Sequence, residues 1–325
     1  VGGYTDDMNG TADGIGILTV GEDGSLEDHG LAAAADSPSF LARSGDLIYA
    51  AGEAAGVVSA YRVAGNELHF LGLQKTAGAG PCALGVLEDR TALIVACYGD
   101  GTVDVHALDA DGSLHKTAQS LRGVDKSSRI NQTSPHAHSV LQVDAHTLLT
   151  TDLGTDDVHI HSLDGDLLTR TGSVKLPAGT GPRDLLLHPS GLVWVLAELS
   201  HEIFVLGRHG DGFAILSSAA LPGAEDGDHA AALALSSDAR FAYAGLRGSD
   251  LVSVLAVSDD GRTLTPVGSV WSGGGWPRHL VVDGDYLRVA NHLTNAVVTF
   301  TLGDDGIPVH HSTLAVKSPT YLLLD

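Results

Sequence analysis

Two rows of residues, aligned by an internal repeat, hold the side chains that can do chemistry in this sequence. The first row follows a recurring proline, at Pro38, Pro81, Pro135, Pro182, Pro277 and Pro319, with Ala230 standing in its place once. One position later come Ser39, Cys82, His136, Arg183, Ala231, Arg278 and Thr320. Three positions later come Leu41, Leu84, His138, Leu185, Leu233, Leu280 and Leu322, so one histidine occupies a place that otherwise belongs to leucine. The second row ends a β-rich run in each copy and reads Glu53, Tyr98, Leu153, Glu198, Arg247 and His292. Carboxylates and imidazoles move protons, and arginine binds carboxylate or phosphate bidentately or stabilises an oxyanion. The combination suits acid–base chemistry on a small anionic molecule. A plainer reading stands beside it. A lone buried histidine is commonly a satisfied structural group, and Glu198 with Arg183 is equally an ion pair between neighbouring strands. Several arginines gathered in an acidic chain favour the pocket. The long connection from Ser120 to Ser134 adds Arg122, Lys126 and Arg129. Such loops are either solvated or carry binding residues, and Arg129 is a candidate on the second ground.

The elements that position these rows follow from the repeat. Runs such as Val195-Leu196-Ala197-Glu198 and Val289-Ala290-Asn291-His292 recur six times, and each is followed by a β-branched residue at a fixed offset, from Gly52 to Val58 through Asn291 to Val297. Asp-Gly pairs at Asp23, Asp111, Asp164, Asp211, Asp260 and Asp305 mark hairpin turns, because such turns need positive φ. Calcium ligation there is a poor alternative, since each turn offers one or two oxygens of the roughly six a calcium site needs. A period of about 45 residues with four short strands per copy reads as a β-propeller blade. Six copies run from Pro38 to about Ser312, and the seventh combines Pro319–Asp325 with the N-terminal segment through about Leu26. The expectation is an all-β, seven-bladed propeller over residues 1–325 as one domain, its last blade closed by N- and C-terminal strands. The two rows would then ring one mouth of the central channel.

Composition narrows the function. Of 325 residues, 40 are Asp or Glu and 18 Lys or Arg, a formal charge of −22. That balance argues against nucleic acid and anionic membranes as partners. No stretch approaches the roughly 18 apolar residues of a membrane span. The start, Val1-Gly2-Gly3-Tyr4, shows no basic-then-apolar leader. Cys82 and Cys97 are the only cysteines, too few for a disulfide framework, and a reduced, cytoplasmic setting is expected. Whether they pair is open. His201-Glu202 has no second histidine at the spacing of a zinc-protease helix, and there is no nucleophile elbow, phosphate loop or paired-cysteine motif. No metal and no cofactor are expected.

At these residues the chain resembles the seven-bladed propeller lactonases, the group that contains propeller-type 6-phosphogluconolactonase and carboxymuconate lactonizing enzyme. The resemblance rests on Gly3-Tyr4-Thr5, Gln132 with Pro135-His136-Ala137-His138, Asp152-Leu153-Gly154, Gly181-Pro182-Arg183, His188-Pro189-Ser190-Gly191, Glu198-Leu199-Ser200, Leu246-Arg247-Gly248 and Pro277-Arg278-His279. It implies a metal-free site with His, Arg, Glu and Arg in the third, fourth, fourth and fifth blades, here His136 or His138, Arg183, Glu198 and Arg247. The pattern departs where the family usually has Asn before the Glu and before the fifth-blade Arg. This chain has Ala197 and Leu246.

The expected function is hydrolysis of a sugar-acid lactone of the 6-phosphogluconolactone type. Glu198 or His138 would act as general base, with Arg183 and Arg247 on the oxyanion or on the substrate's anionic group. His136, Arg278, Glu53, His292 and Arg129 would bind substrate. The expected partner is a small anionic lactone, and the protein a monomer or weak homo-oligomer. Two alternatives remain at this stage: cycloisomerisation of a carboxylated muconate in the same pocket, and a non-catalytic propeller that binds a protein or peptide.

Overall fold

A computed structural model of the chain describes residues 1–123 and 132–324. They divide into two compact units, one made of Val1, Gly16–Gly30 and Asp184–Asp325, the other of Gly2–Ile15 and Leu31–Arg183. The secondary structure is almost entirely β. Among the described residues the only helical turn is a short 3-10 segment, Asp6–Met8, and no helix is long and apolar enough to cross a membrane.

Six four-stranded antiparallel sheets follow one another along the chain. The first is Pro38–Ser44, Leu47–Gly52, Val57–Ala64 and Glu67–Lys75, and the others span residues 81–121, 137–175, 182–220, 229–271 and 277–315. The strands Gly14–Val20 and Leu26–Ala34 pair as a separate hairpin. The six fixed-offset β-branched residues occupy one register position: Ala51 faces Val58, Ala96 Val103, Thr151 Val158, Leu196 Ile203, Gly245 Val252 and Ala290 Val297. All six are buried. The residues that follow them, Ser59, Asp104, His159, Phe204, Ser253 and Val298, are buried too, so these strands are covered on both faces.

Within each unit the core lies between successive sheets. Tyr49, Val58 and Ala60 meet Leu84, Leu93 and Val95 in the unit built on residues 31–183. In the other unit Trp194, Leu196 and Ile203 meet Ala230, Leu246 and Leu255. The Asp-Gly turns explain part of this order. Tyr49 Oη donates to the Gly112 carbonyl at 3.1 Å, Trp194 Nε1 to Gly261 at 2.9 Å and Tyr243 Oη to Gly306 at 3.0 Å. Each clasp runs from the second strand of one sheet to the hairpin turn of the next. Arg288, at the same repeat position in the sixth sheet, clasps the N-terminal hairpin turn, donating from Nη1 to the Gly24 carbonyl at 3.1 Å. These turns are acceptors for the preceding sheet. Positive φ falls on Gly24, Gly112, Gly165, Gly261 and Gly306 as expected, but in the fourth sheet it falls on Gly210 rather than Gly212.

The proline rule holds with two adjustments. First strands begin at Pro38, Pro81, Pro182 and Pro277, where a missing N–H is tolerated. In the third sheet the strand begins at Ala137, two residues after Pro135, and in the fifth at His229. The position after the proline has a local cause for its special role. Pro38 pairs with Gly52 but Phe40 with Ala51; Pro81 pairs with Cys97 but Ala83 with Ala96; Pro277 pairs with Asn291 but His279 with Ala290. Ser39, Cys82 and Arg278 therefore sit on bulges, and a similar break lies between Ala137 and Val140 around His138. A bulge re-aims a side chain out of the ladder's alternation, which is how a buried strand can present a polar group.

Candidate active site

In the unit built on residues 31–183, three groups gather at the ends of the first strands. Asp152, itself buried, accepts from the His136 N–H at 2.8 Å and the Gly154 N–H at 3.0 Å and so sets the Pro135–His138 segment. The His136 ring stacks on Tyr98 with centroids 4.4 Å apart, and its Nδ1 lies 2.6 Å from the Tyr98 carbonyl. A carbonyl only accepts, so Nδ1 carries the proton and Nε2 faces Ser134 Oγ at 3.3 Å. His138 meets Tyr98 edge-on at 5.8 Å, and its Nε2 accepts from Arg183 Nη1. A guanidinium only donates, so His138 is neutral in this arrangement, with its proton on Nδ1. Of the two histidines, His138 is the one in contact with Arg183. Glu53 accepts from Tyr4 Oη at 3.1 Å, which accounts for Tyr4 of the Gly3-Tyr4-Thr5 motif. Thr5 joins Ser37 and Asp7 in a local hydroxyl–carboxylate cluster.

The other unit holds a denser group. Glu198 opens the turn after the strand Val193–Ala197. Its Oε1 lies 2.9 Å from His229 Nδ1 and its Oε2 2.9 Å from Arg247 Nη2. Arg247 also donates from Nε to the His229 carbonyl at 3.1 Å, and its guanidinium lies 5.5 Å from the centre of the Trp276 ring. Gly248 permits this placement. Its φ of +117° is one that L side chains rarely adopt, and a Cβ there would stand 2.5 Å from Asp228 Oδ1. Asp228 in turn holds the adjoining backbone, accepting from the Glu225 N–H at 2.9 Å, the Ser249 N–H at 2.6 Å and Ser249 Oγ at 2.8 Å. Trp276 has φ +63°, a strained value for a bulky residue before proline, of order 1–3 kcal/mol. Asp250 Oδ1 holds its N–H at 2.7 Å, and its carbonyl accepts the His292 N–H at 3.1 Å. Burial, with Arg278 and Arg247 nearby, pushes the His292 imidazole down to about 4. It is therefore a neutral companion to two arginines at neutral pH.

This unit thus brings Glu198, Arg247, Arg278 and His292 into one neighbourhood, and the other unit brings His136, His138 and Arg183 together. Arg129 lies outside the described residues. Cys82 and Cys97 are free and buried, and Cys82 Sγ donates to the Ala137 carbonyl at 3.4 Å. The His188 ring stacks on Trp194, and its Nδ1 accepts from the Ser190 N–H, so the His-Pro-Ser-Gly motif is structural. No group of three or more metal-ligating side chains gathers among the described residues.

Sequence reasoning missed His229 and Trp276. Both occupy one repeat position, the residue before the proline or its substitute, where other copies have Ser37, Gly80, Ser134, Gly181 and Ser318. Comparing that column as the two neighbouring rows were compared exposes both.

Comparison with known proteins identifies the family. A protein 30% identical over 92% of this chain and 89% of its own length is the 6-phosphogluconolactonase of Bacillus subtilis. Among solved structures, the periplasmic gluconolactonase of Pseudomonas aeruginosa superposes with a TM-score of 0.92 at 26% identity, covering 99% of this chain and 96% of that one. A protein from Lactobacillus plantarum superposes with a TM-score of 0.90 at 27% identity, covering 98% and 96%. A family model described as "Lactonase, 7-bladed beta-propeller" matches residues 1–323. The chain belongs to the seven-bladed β-propeller lactonase family and is a hydrolase of the lactonase class.

Proposed function

We propose that the protein hydrolyses a sugar-acid lactone of the 6-phosphogluconolactone type, without a metal or cofactor, by adding water to the ring carbonyl. The observation that carries this reading is Glu198 held at 2.9 Å from both His229 and Arg247 in a chain of this family. A carboxylate–imidazole pair can take a proton from water, and the adjacent guanidinium can stabilise the oxyanion that forms. The Nε2 lone pair of His138 is engaged by Arg183, which favours the Glu198 group as the source of the base. Arg278, with His292 near it, is assigned the substrate's carboxylate or phosphate in the unit that holds Glu198; Arg183, His136 and Glu53 of the other unit, and Arg129, are proposed as binding residues from their side-chain types. Sugar lactones already open in water, so the enzyme supplies only a modest part of the roughly 8–23 kcal/mol of larger accelerations.

The test is proton release on ring opening, followed by pH-stat with fresh 6-phosphogluconolactone, gluconolactone and muconolactone. Saturable acceleration of a sugar lactone is expected, with KM for the phosphorylated lactone raised in Arg183→Ala. Preference for muconolactone would move the reading to the muconate branch. No acceleration of any lactone would overturn the reading in favour of a binding role.

We also propose seven blades in a single domain over residues 1–325, the last blade completed by residues 319–325 and the N-terminal segment. The Arg288 clasp on the Gly24 turn supports this, as does the packing of Leu18 and Leu26 against the cluster of Val316 and Leu322. A cytoplasmic setting is consistent with the two free, buried cysteines.

A further inference from the structure

The carboxylate that family resemblance singles out is not the best-placed base in this structure. Both oxygens of Glu198 are engaged, one by His229 Nδ1 and one by Arg247. Its side chain is 13% exposed and that of His229 38%. An ion pair with guanidinium favours the ionised carboxylate, and an ionised carboxylate only accepts. Nδ1 of His229 must then carry the proton, which leaves the lone pair on Nε2. The pairing is not needed to hold the turn. Asp228 already holds the backbone on either side through three hydrogen bonds and through its own carbonyl, which accepts from His201 Nε2 at 2.6 Å. The His229 carbonyl accepts from Arg247 Nε, and the Ala230 N–H donates to the Glu198 carbonyl at 3.1 Å. An imidazole oriented through Nδ1 by a carboxylate, with Nε2 unengaged by that contact, is the arrangement that draws a proton from water or a hydroxyl.

We infer that His229 is the general base of lactone opening, oriented by Glu198, with Arg247 beside the developing oxyanion. This rests on the lactonase reading above. In the step, His229 Nε2 takes a proton from water while the water oxygen bonds to the lactone carbonyl carbon. The tetrahedral intermediate collapses by breaking the bond from that carbon to the ring oxygen. The ring oxygen leaves with the proton from His229 Nε2–H and becomes a hydroxyl. The new carboxylic acid then ionises, releasing the one proton that a pH-stat records.

The decisive comparison uses His229→Gln and His229→Ala in the full chain. Glutamine can still donate from Nε2 to Glu198 but cannot take a proton. With the lactone that the wild type opens fastest, His229→Gln should lower kcat by about 100-fold or more, with KM changed less than about threefold. Added imidazole should restore part of kcat in His229→Ala and nothing in Glu198→Gln. The groups around His229 on neighbouring elements are Glu198, Arg247 and Trp276, with Arg278 and His292 beyond Arg247. Full activity in His229→Gln with an active wild type would overturn the assignment and return the base to Glu198. Loss of activity in both variants without imidazole rescue, in proteins of unchanged melting temperature, would overturn it in favour of a positioning role. A wild type that opens no lactone would overturn the lactone reading itself, and this role with it.

Discussion

Histidine occurs in both polar groups of the molecule, and its partners give it opposite capacities. His138 offers Nε2 to Arg183, a donor only, so its lone pair is spent on orienting a guanidinium. His229 offers Nδ1 to Glu198, an acceptor, so its lone pair stays on the other nitrogen. The first arrangement holds a guanidinium in place. The second can exchange protons. Residue type alone cannot separate these roles, because imidazole is amphoteric and its chemistry is set by whichever nitrogen is occupied first.

The sharpest way to break the comparison is to remove its charge. Glu198→Gln should reduce lactone turnover by about 10²–10⁴-fold, read as kcat in the pH-stat assay. Arg247→Lys keeps the charge but loses the fork geometry, and a fall of about 10²-fold in kcat is expected, with KM little changed. Arg183→Ala should act on binding instead, raising KM about tenfold or more for an anionic lactone and much less for a neutral one. If kcat alone fell, Arg183 would belong with the proton-moving group. His138→Gln should cost less than about tenfold in kcat/KM, because glutamine can still accept from Arg183. A loss equal to that of Glu198→Gln would erase the distinction between the two histidines.

Stability separates the groups as well. Gly248→Ala should lower the melting temperature by an amount equivalent to about 1–3 kcal/mol, because it strains the backbone and presses on Asp228. It should also misplace Arg247. Burial, with Arg170 and His159 nearby, pushes the His161 imidazole down to about 3. Below the ordinary histidine value of about 6.5 the unfolded chain binds a proton that the folded chain refuses. That contribution is therefore complete above pH 6.5 and is lost as pH falls toward 3. Melting temperatures between pH 6.5 and 4 should decline less steeply in His161→Gln than in the wild type.

Much of the fold was legible because it is written in short-range spacing. The six β-branched residues at a fixed offset became six equivalent buried positions, and the Asp-Gly pairs became the turns of hairpins. The row after the proline was worth reading for a reason the sequence does not state, namely the bulges that turn Cys82 and Arg278 out of the ladder. Strand starts in the third and fifth sheets were less legible, since Pro135 precedes its strand and the fifth copy has no proline. His229 and Trp276 escaped because their column mixes serine, glycine, histidine and tryptophan. That column shares a backbone requirement more than a side-chain type, with φ positive at Ser37, Gly80, Gly181, Trp276 and Ser318.

The sequence by itself determined the repeat, the strands, the hairpin turns and the columns in which polar residues replace leucine. Each depends on neighbours within a few residues, where propensity and alternation act directly. Only the tertiary structure decided which atom meets which. Glu198, His229 and Arg247 come from three separate strand ends, and Asp228 and Gly248 lie where their side chains approach to 2.9 Å. Hydrogen bonding is directional and short-ranged, so the proton's position on each histidine follows from contacts between distant segments. Residue spacing along the chain carries no record of it.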